Sequence, residues 1–231
     1  MIAVRRSIMA FAVWSAIFYC AAATQALAQN KPKGVTAAPR AVQVDLFRGL
    51  ADIFSRGMDT LTDKLNREGY AARVYSHRDW QAVAHHIAQR YARGDRDIVV
   101  LIGHSLGADA TLQIANALAR SNVPIDLIVT FDGTHPHQVP ANVRHLVNFY
   151  QNNGFGKRIS AGPGFTGELN NVDLSADSNL SHVTIDKSHR LHAQVIAKIT
   201  DIVNRDVAAA RKAGKPKAKK PKTAQAQTGK P

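Results

Sequence analysis

One stretch of the chain has residue types and spacing suited to covalent chemistry: Gly103, His104, Ser105, Leu106 and Gly107. The apolar run 98–102 precedes it, and an Ala- and Leu-rich run over 106–120 follows it. A serine hydroxyl attacks a carbonyl at neutral pH only when a neighbouring base takes its proton. On a sharp turn between a buried strand and a helix, the serine is held in strained backbone geometry with its hydroxyl above the sheet. The flanking glycines are needed because side chains there would meet the neighbouring strand and helix. The same turn places the Leu106 N–H at a helix N-terminus, aimed at a developing oxyanion. The alternative is a tight strand–helix turn whose serine only caps the helix.

The elements around this turn alternate. Residues 41–47 read as a strand, 48–57 as a loop, and 58–68 as a helix with Leu61 and Leu65 on one face and Gly69 as its stop. A short strand at 70–75 is followed by a helix at 80–92, with Asp79 as expected N-cap. The unbroken apolar run at 98–102 reads as a strand buried on both faces, 125–131 as another buried strand, and 143–150 as a further one. The segment 151–181 is rich in Gly, Asn, Ser and Asp and reads as irregular. Residues 187–206 form an amphipathic helix carrying Leu191, Val195, Ile199 and Ile202. Strands alternating with helices predict an α/β fold, a mostly parallel sheet covered by helices on both faces. Ligands of such sheets sit at the carboxyl ends of the strands.

Residues 103–107 and their surroundings resemble the nucleophile elbow of the α/β-hydrolase superfamily, and the likeness spans about 41–206. The resemblance implies a small member without a cap domain, in which acid and then base follow the serine in chain order. Asp132, at the end of the 125–131 strand, is the expected acid, a placement similar to that in thioesterase domains of polyketide and peptide synthases. A turn-forming role before Gly133 is its alternative, and Asp173 and Asp177 are the reserve acids. Family members carry the base on a loop just before the last helix. That selects His182 over His189 and His192, which fall in the helix. His135 and His137 follow Asp132 too closely to be the base. The second oxyanion donor is expected from the loop after the first strand: Leu50 N–H, with Ala51 next. Arg48 stands where the family often has histidine.

Composition bounds the rest. The 231 residues carry a formal net charge of +13 and are 45% hydrophobic, enough for one domain with a real core. Most of that charge lies outside the middle. Arg5 and Arg6 open the chain without an acid, and the segment from Arg211 carries eight Lys and Arg and no acid. Arg5 and Arg6, the apolar run 8–23, and Ala26 and Ala28 read as a secretory signal peptide over 1–28, giving a periplasmic or secreted protein. Cys20 is the single cysteine and lies in that leader, beside Phe18 and Tyr19, which do not suit a lipobox. The mature chain then has no thiol for catalysis, metal ligation or disulfides. Residues 29–40 read as a flexible lead-in. Residues 211–231 read as a disordered basic tail, either a solubilising segment or a tether to an anionic surface.

The pairs His85/His86 and His135/His137 lack a third ligand at a metal spacing, and no H-E-x-x-H is present. There is no Walker-type phosphate loop, and the glycines at 154–156 and 162–164 lack a strand–helix context. No nucleic-acid module is apparent. These readings converge on a serine hydrolase that needs no cofactor and cleaves a small-molecule or lipid ester, or a thioester, with 151–181 walling the acyl pocket. Export favours an oxygen ester. The alternative is a non-catalytic binding protein of the same fold, held to an anionic envelope surface by its tail.

Overall fold

A computed structural model describes residues 38–50 and 55–213. The elements in chain order are β1 (Val42–Arg48), α1 (Arg56–Arg67), β2 (Ala71–Ser76), α2 (Trp80–Ala92), β3 (Ile98–His104), α3 (Leu106–Ala119), β4 (Leu127–Phe131), β5 (Gln138–Val139), β6 (His145–Tyr150), β7 (Ser160–Ala161), β8 (Glu168–Asp173) and α4 (His189–Ala213). Single 3₁₀ turns at His77–Asp79 and Ile185–Lys187 precede α2 and α4.

Six strands form one sheet in the order β2-β1-β3-β4-β6-β8. Every neighbouring pair in it is parallel. A parallel sheet needs both faces covered, because each crossover lays a helix on one of them. The alternation along β3 shows how the sequence meets this demand. Ile98, Val100 and Ile102 pack with Leu61 and Leu65 of α1 and Val195 and Ile199 of α4. Val99 and Leu101 face the other way, into Val83 and Ile87 of α2 and Leu112, Ile114 and Leu118 of α3. This is the α/β architecture expected from the alternating runs.

Several features differ from the sequence reading. The segment expected to be irregular contains β8, whose Asn170 and Asn171 lack the apolar signature because the strand closes an edge of the sheet. Asp79 is the residue before α2 but makes no side-chain cap; its carboxylate instead accepts from the Ser76 N–H. Helix α4 runs to Ala213, so Arg211 and Lys212 are helical rather than part of a disordered tail. At the other end the lead-in is fastened by Arg40, which pairs with Asp126 and Asp206. Residues 1–28, read above as a signal peptide, residues 29–37 and the expected tail from 214 lie outside the described residues, as does Ala51. No helix among the described residues is long and apolar enough to cross a membrane.

Candidate active site

β3 delivers Ser105 at its carboxyl end, next to the strand whose end carries Asp132. The turn between β3 and α3 forces Ser105 to φ 56° and ψ −126°, a region that side chains avoid. Its N–H donates to the Phe131 carbonyl at 2.9 Å, which holds the strain in place. The glycines make the turn possible. A Cβ on Gly103 would lie 2.1 Å from the Gly107 carbonyl oxygen, and one on Gly107 would lie 2.1 Å from that of Phe47. Ser105 is therefore no ordinary capping residue, and it makes no side-chain cap with α3.

Asp132 follows β4 at φ 52° and is fully buried. Its N–H donates to the Phe149 carbonyl at 2.8 Å, and its Oδ1 accepts the Gln151 N–H at 2.8 Å. Its other oxygen, Oδ2, accepts from His182 Nδ1 at 2.8 Å. The opposite imidazole nitrogen, Nε2, lies 3.0 Å from Ser105 Oγ. An ionised carboxylate only accepts, so Nδ1 carries the proton and Nε2 presents its lone pair to the serine hydroxyl. The structure thus brings Ser105, His182 and Asp132 into one chain of hydrogen bonds.

The reserve residues are placed elsewhere. Asp173 ends β8 and accepts from Ser175, Asp177 pairs with Arg190, and His189 opens α4. His192 is buried with its Nε2 donating to the Asp186 carbonyl at 2.6 Å, and burial pushes its pKa down to about 4.

Leu106 is the first residue of α3, so its N–H has no partner within the helix. Gly49, after β1, closes on the serine so tightly that a Cβ there would stand 2.8 Å from Ser105 Cβ. The next residue is Leu50, whose N–H is the second expected donor. Arg48 pairs with Asp59 of α1 and supplies no histidine-like group.

Sequence reasoning missed three supporting groups. The first is His104, fully buried beneath His182, with ring centroids 5.0 Å apart. Its Nε2 donates to the His182 carbonyl at 2.7 Å, and its Nδ1 accepts from Ser55 Oγ at 2.8 Å. Ser55 Oγ in turn accepts the Gly49 N–H at 2.8 Å. Burial, and then the nearby His182, lower the His104 pKa to about 4, so it is neutral at pH 7 and can serve as acceptor and donor at once.

The second is Asp186. Its Oδ2 accepts the Gly57 N–H at 2.9 Å, clamping the start of α1 to the 3₁₀ turn after His182. Burial raises its pKa to about 6.

The third is Asp109, on the first turn of α3. It accepts from Thr134 Oγ1 at 2.6 Å, His135 Nδ1 at 2.8 Å and His137 Nε2 at 3.1 Å. Burial alone would raise its pKa, but the hydrogen bonds from His137, His135 and Thr134 outweigh that and hold it at about 2. His135 and His137 are thus tied to a carboxylate that fastens the loop after Asp132. Among the described residues, no group of three or more His, Cys, Asp or Glu side chains is arranged to hold a metal ion.

Fold and site together define a parallel α/β protein with a Ser–His–Asp constellation at the carboxyl edge of its sheet. No family model matches the chain, and no curated protein matches it. Among solved structures, it is similar to a Xanthomonas campestris pv. campestris chain titled "putative hydrolase of the alpha/beta superfamily". The identity is 17%, the TM-score is 0.41, and the match covers 68% of this chain and 99% of that one. The geometry of the site, not this likeness, carries the functional reading.

Proposed function

We propose that the protein is a serine hydrolase that cleaves a carboxylic ester or thioester through an acyl-enzyme. The observation that carries this is the continuous contact from Ser105 Oγ to His182 Nε2 at 3.0 Å and from His182 Nδ1 to Asp132 Oδ2 at 2.8 Å.

His182 takes the hydroxyl proton as Ser105 Oγ bonds to the substrate carbonyl carbon. Asp132 fixes the imidazole tautomer and stabilises its charged form. The carbonyl oxygen becomes an oxyanion facing the Leu106 and Leu50 N–H groups. As the tetrahedral species collapses, the C–O or C–S bond to the leaving group breaks, and His182 returns its proton to that group. Water, deprotonated by His182, then attacks the acyl-enzyme and releases the acid with Ser105 restored. Neither metal nor redox cofactor enters these steps. The leader sequence supports export of the enzyme, and the basic tail supports an anionic surface as its resting place.

The test is hydrolysis of p-nitrophenyl esters by the purified protein and by Ser105→Ala. The proposal predicts turnover that disappears in the variant. Equal turnover in the two proteins would contradict it.

A further inference from the structure

Among the described residues, the exposed large hydrophobic side chains are Leu50 (59%), Phe155 (63%) and Val183 (43%). Single exposed apolar residues are common on any protein surface and carry no meaning when scattered. These three are not scattered. Leu50 follows Gly49, the residue pressed against Ser105. Phe155 lays its ring over His182, with centroids 4.8 Å apart. Val183 is the neighbour of His182 in the chain. Phe155 thus touches His182, and Leu50 and Val183 are chain neighbours of residues at the reacting pair, while the outer faces of α2, α3 and α4 carry no exposed large hydrophobic side chain.

Beyond Leu106 the surroundings change character. A cavity of about 360 Å³ there is lined by His77, Arg78, Trp80, Gln113 and His135, together with Leu106 and Asp109. The lining holds one carboxylate, Asp109, bonded to His135, His137 and Thr134, and one guanidinium, that of Arg78. Ser105, the residue before Leu106, thus lies between an apolar rim and a polar cavity that offers the Arg78 guanidinium.

Resting on the hydrolase reading above, we infer that the substrate is an amphiphilic ester. Its alkyl chain lies on the rim of Leu50, Phe155 and Val183, and its polar portion enters the cavity beside Arg78. An open rim removes only part of each methylene from water, so the gain per carbon is about 1.5-fold, below that of full burial. A neutral, fully polar ester would leave the rim exposed and gain nothing from it.

The experiment is the rate at which Ser105 is labelled by alkyl fluorophosphonates of increasing chain length. In this reaction Ser105 Oγ bonds to phosphorus, fluoride leaves, and the proton passes to His182. The rate is expected to rise about ten-fold from the ethyl to the octyl probe. Phe155→Ser should cut the octyl rate several-fold more than the ethyl rate, and Val183→Ser gives the same comparison should the first variant fail to fold.

Equal rates for all chain lengths would overturn the inference while leaving the hydrolase reading intact. Equal slowing of both probes in Phe155→Ser would overturn it too, by assigning Phe155 to the placement of His182. A flat profile in a protein that self-associates would assign the rim to a second copy of the chain. Absence of labelling by every probe would remove the hydrolase reading itself, and the inference with it.

Discussion

His104 donates its Nε2 proton to the backbone carbonyl of His182 at 2.7 Å, so the residue beside Ser105 holds the loop that carries His182. Its other nitrogen reaches Ser55 Oγ at 2.8 Å, and through it the N–H of Gly49. One neutral imidazole therefore sets the Gly49 loop and the His182 loop against each other. His104→Phe keeps the ring volume but removes both bonds. Misplacement of a base by a fraction of an ångström is costly, so kcat should fall about ten-fold or more with little change in KM. His104→Gln, which retains a donor toward the His182 carbonyl, should recover part of the loss. Wild-type kcat in His104→Phe would assign the network to stability alone.

Gly156 leaves no room for a methyl group beside Asp132. A Cβ there would stand 2.0 Å from Asp132 Oδ1, the oxygen held by the Gln151 N–H. Gly156→Ala should displace the carboxylate from His182 and cost roughly a hundred-fold in kcat/KM.

Asp109 contributes stability at neutral pH because its pKa is held down to about 2 in the folded chain. That contribution is fully present above the unfolded value near 4 and is lost as pH falls toward 2. Asp109→Asn should cost about 2 kcal/mol at pH 7 by urea denaturation, with the difference shrinking on acidification. It should also loosen the loop after Asp132, giving a lower kcat even where the variant is folded.

Asp45 works with the opposite sign. It is buried on β1, with Gln43 Nε2 donating to one oxygen at 2.6 Å. Burial raises its pKa to about 6. The cost of ionising it is absent below the unfolded value near 4, grows as pH rises toward 6, and is complete above that. Asp45→Asn should therefore stabilise the protein by about 2 kcal/mol at pH 8 and by almost nothing at pH 4. A larger gain at pH 4 than at pH 8 would contradict the account.

The elements that position the site were legible because their patterns are strong. The unbroken apolar run of β3 needs a sheet buried on both faces, and Leu61 and Leu65 mark the inner face of α1. Ser105 stood out through its glycines, whose missing side chains the structure explains contact by contact. Asp132 and His182 came from chain order and the resemblance, and the fold brings both to Ser105.

What could not be read were interactions made across long stretches of chain. Ser55 and His104 lie 49 residues apart, and Gly57 and Asp186 lie 129 apart. No local spacing signals such contacts. Strand β8 escaped notice because an edge strand need not be apolar, and Asn171 spends its side chain on the backbone of Ile159 instead. The 151–181 segment, read as the wall of an acyl pocket, places Phe155 over His182, whereas the cavity beside Leu106 is built from other segments.

The central claim is that Ser105 is a nucleophile activated by His182. Its most direct test is covalent labelling of the purified protein by a fluorophosphonate, followed by mass mapping of the modified peptide. The account predicts a single adduct on Ser105, abolished in Ser105→Ala and slowed by at least a hundred-fold in His182→Ala. An adduct elsewhere, or a rate indifferent to His182, would contradict it.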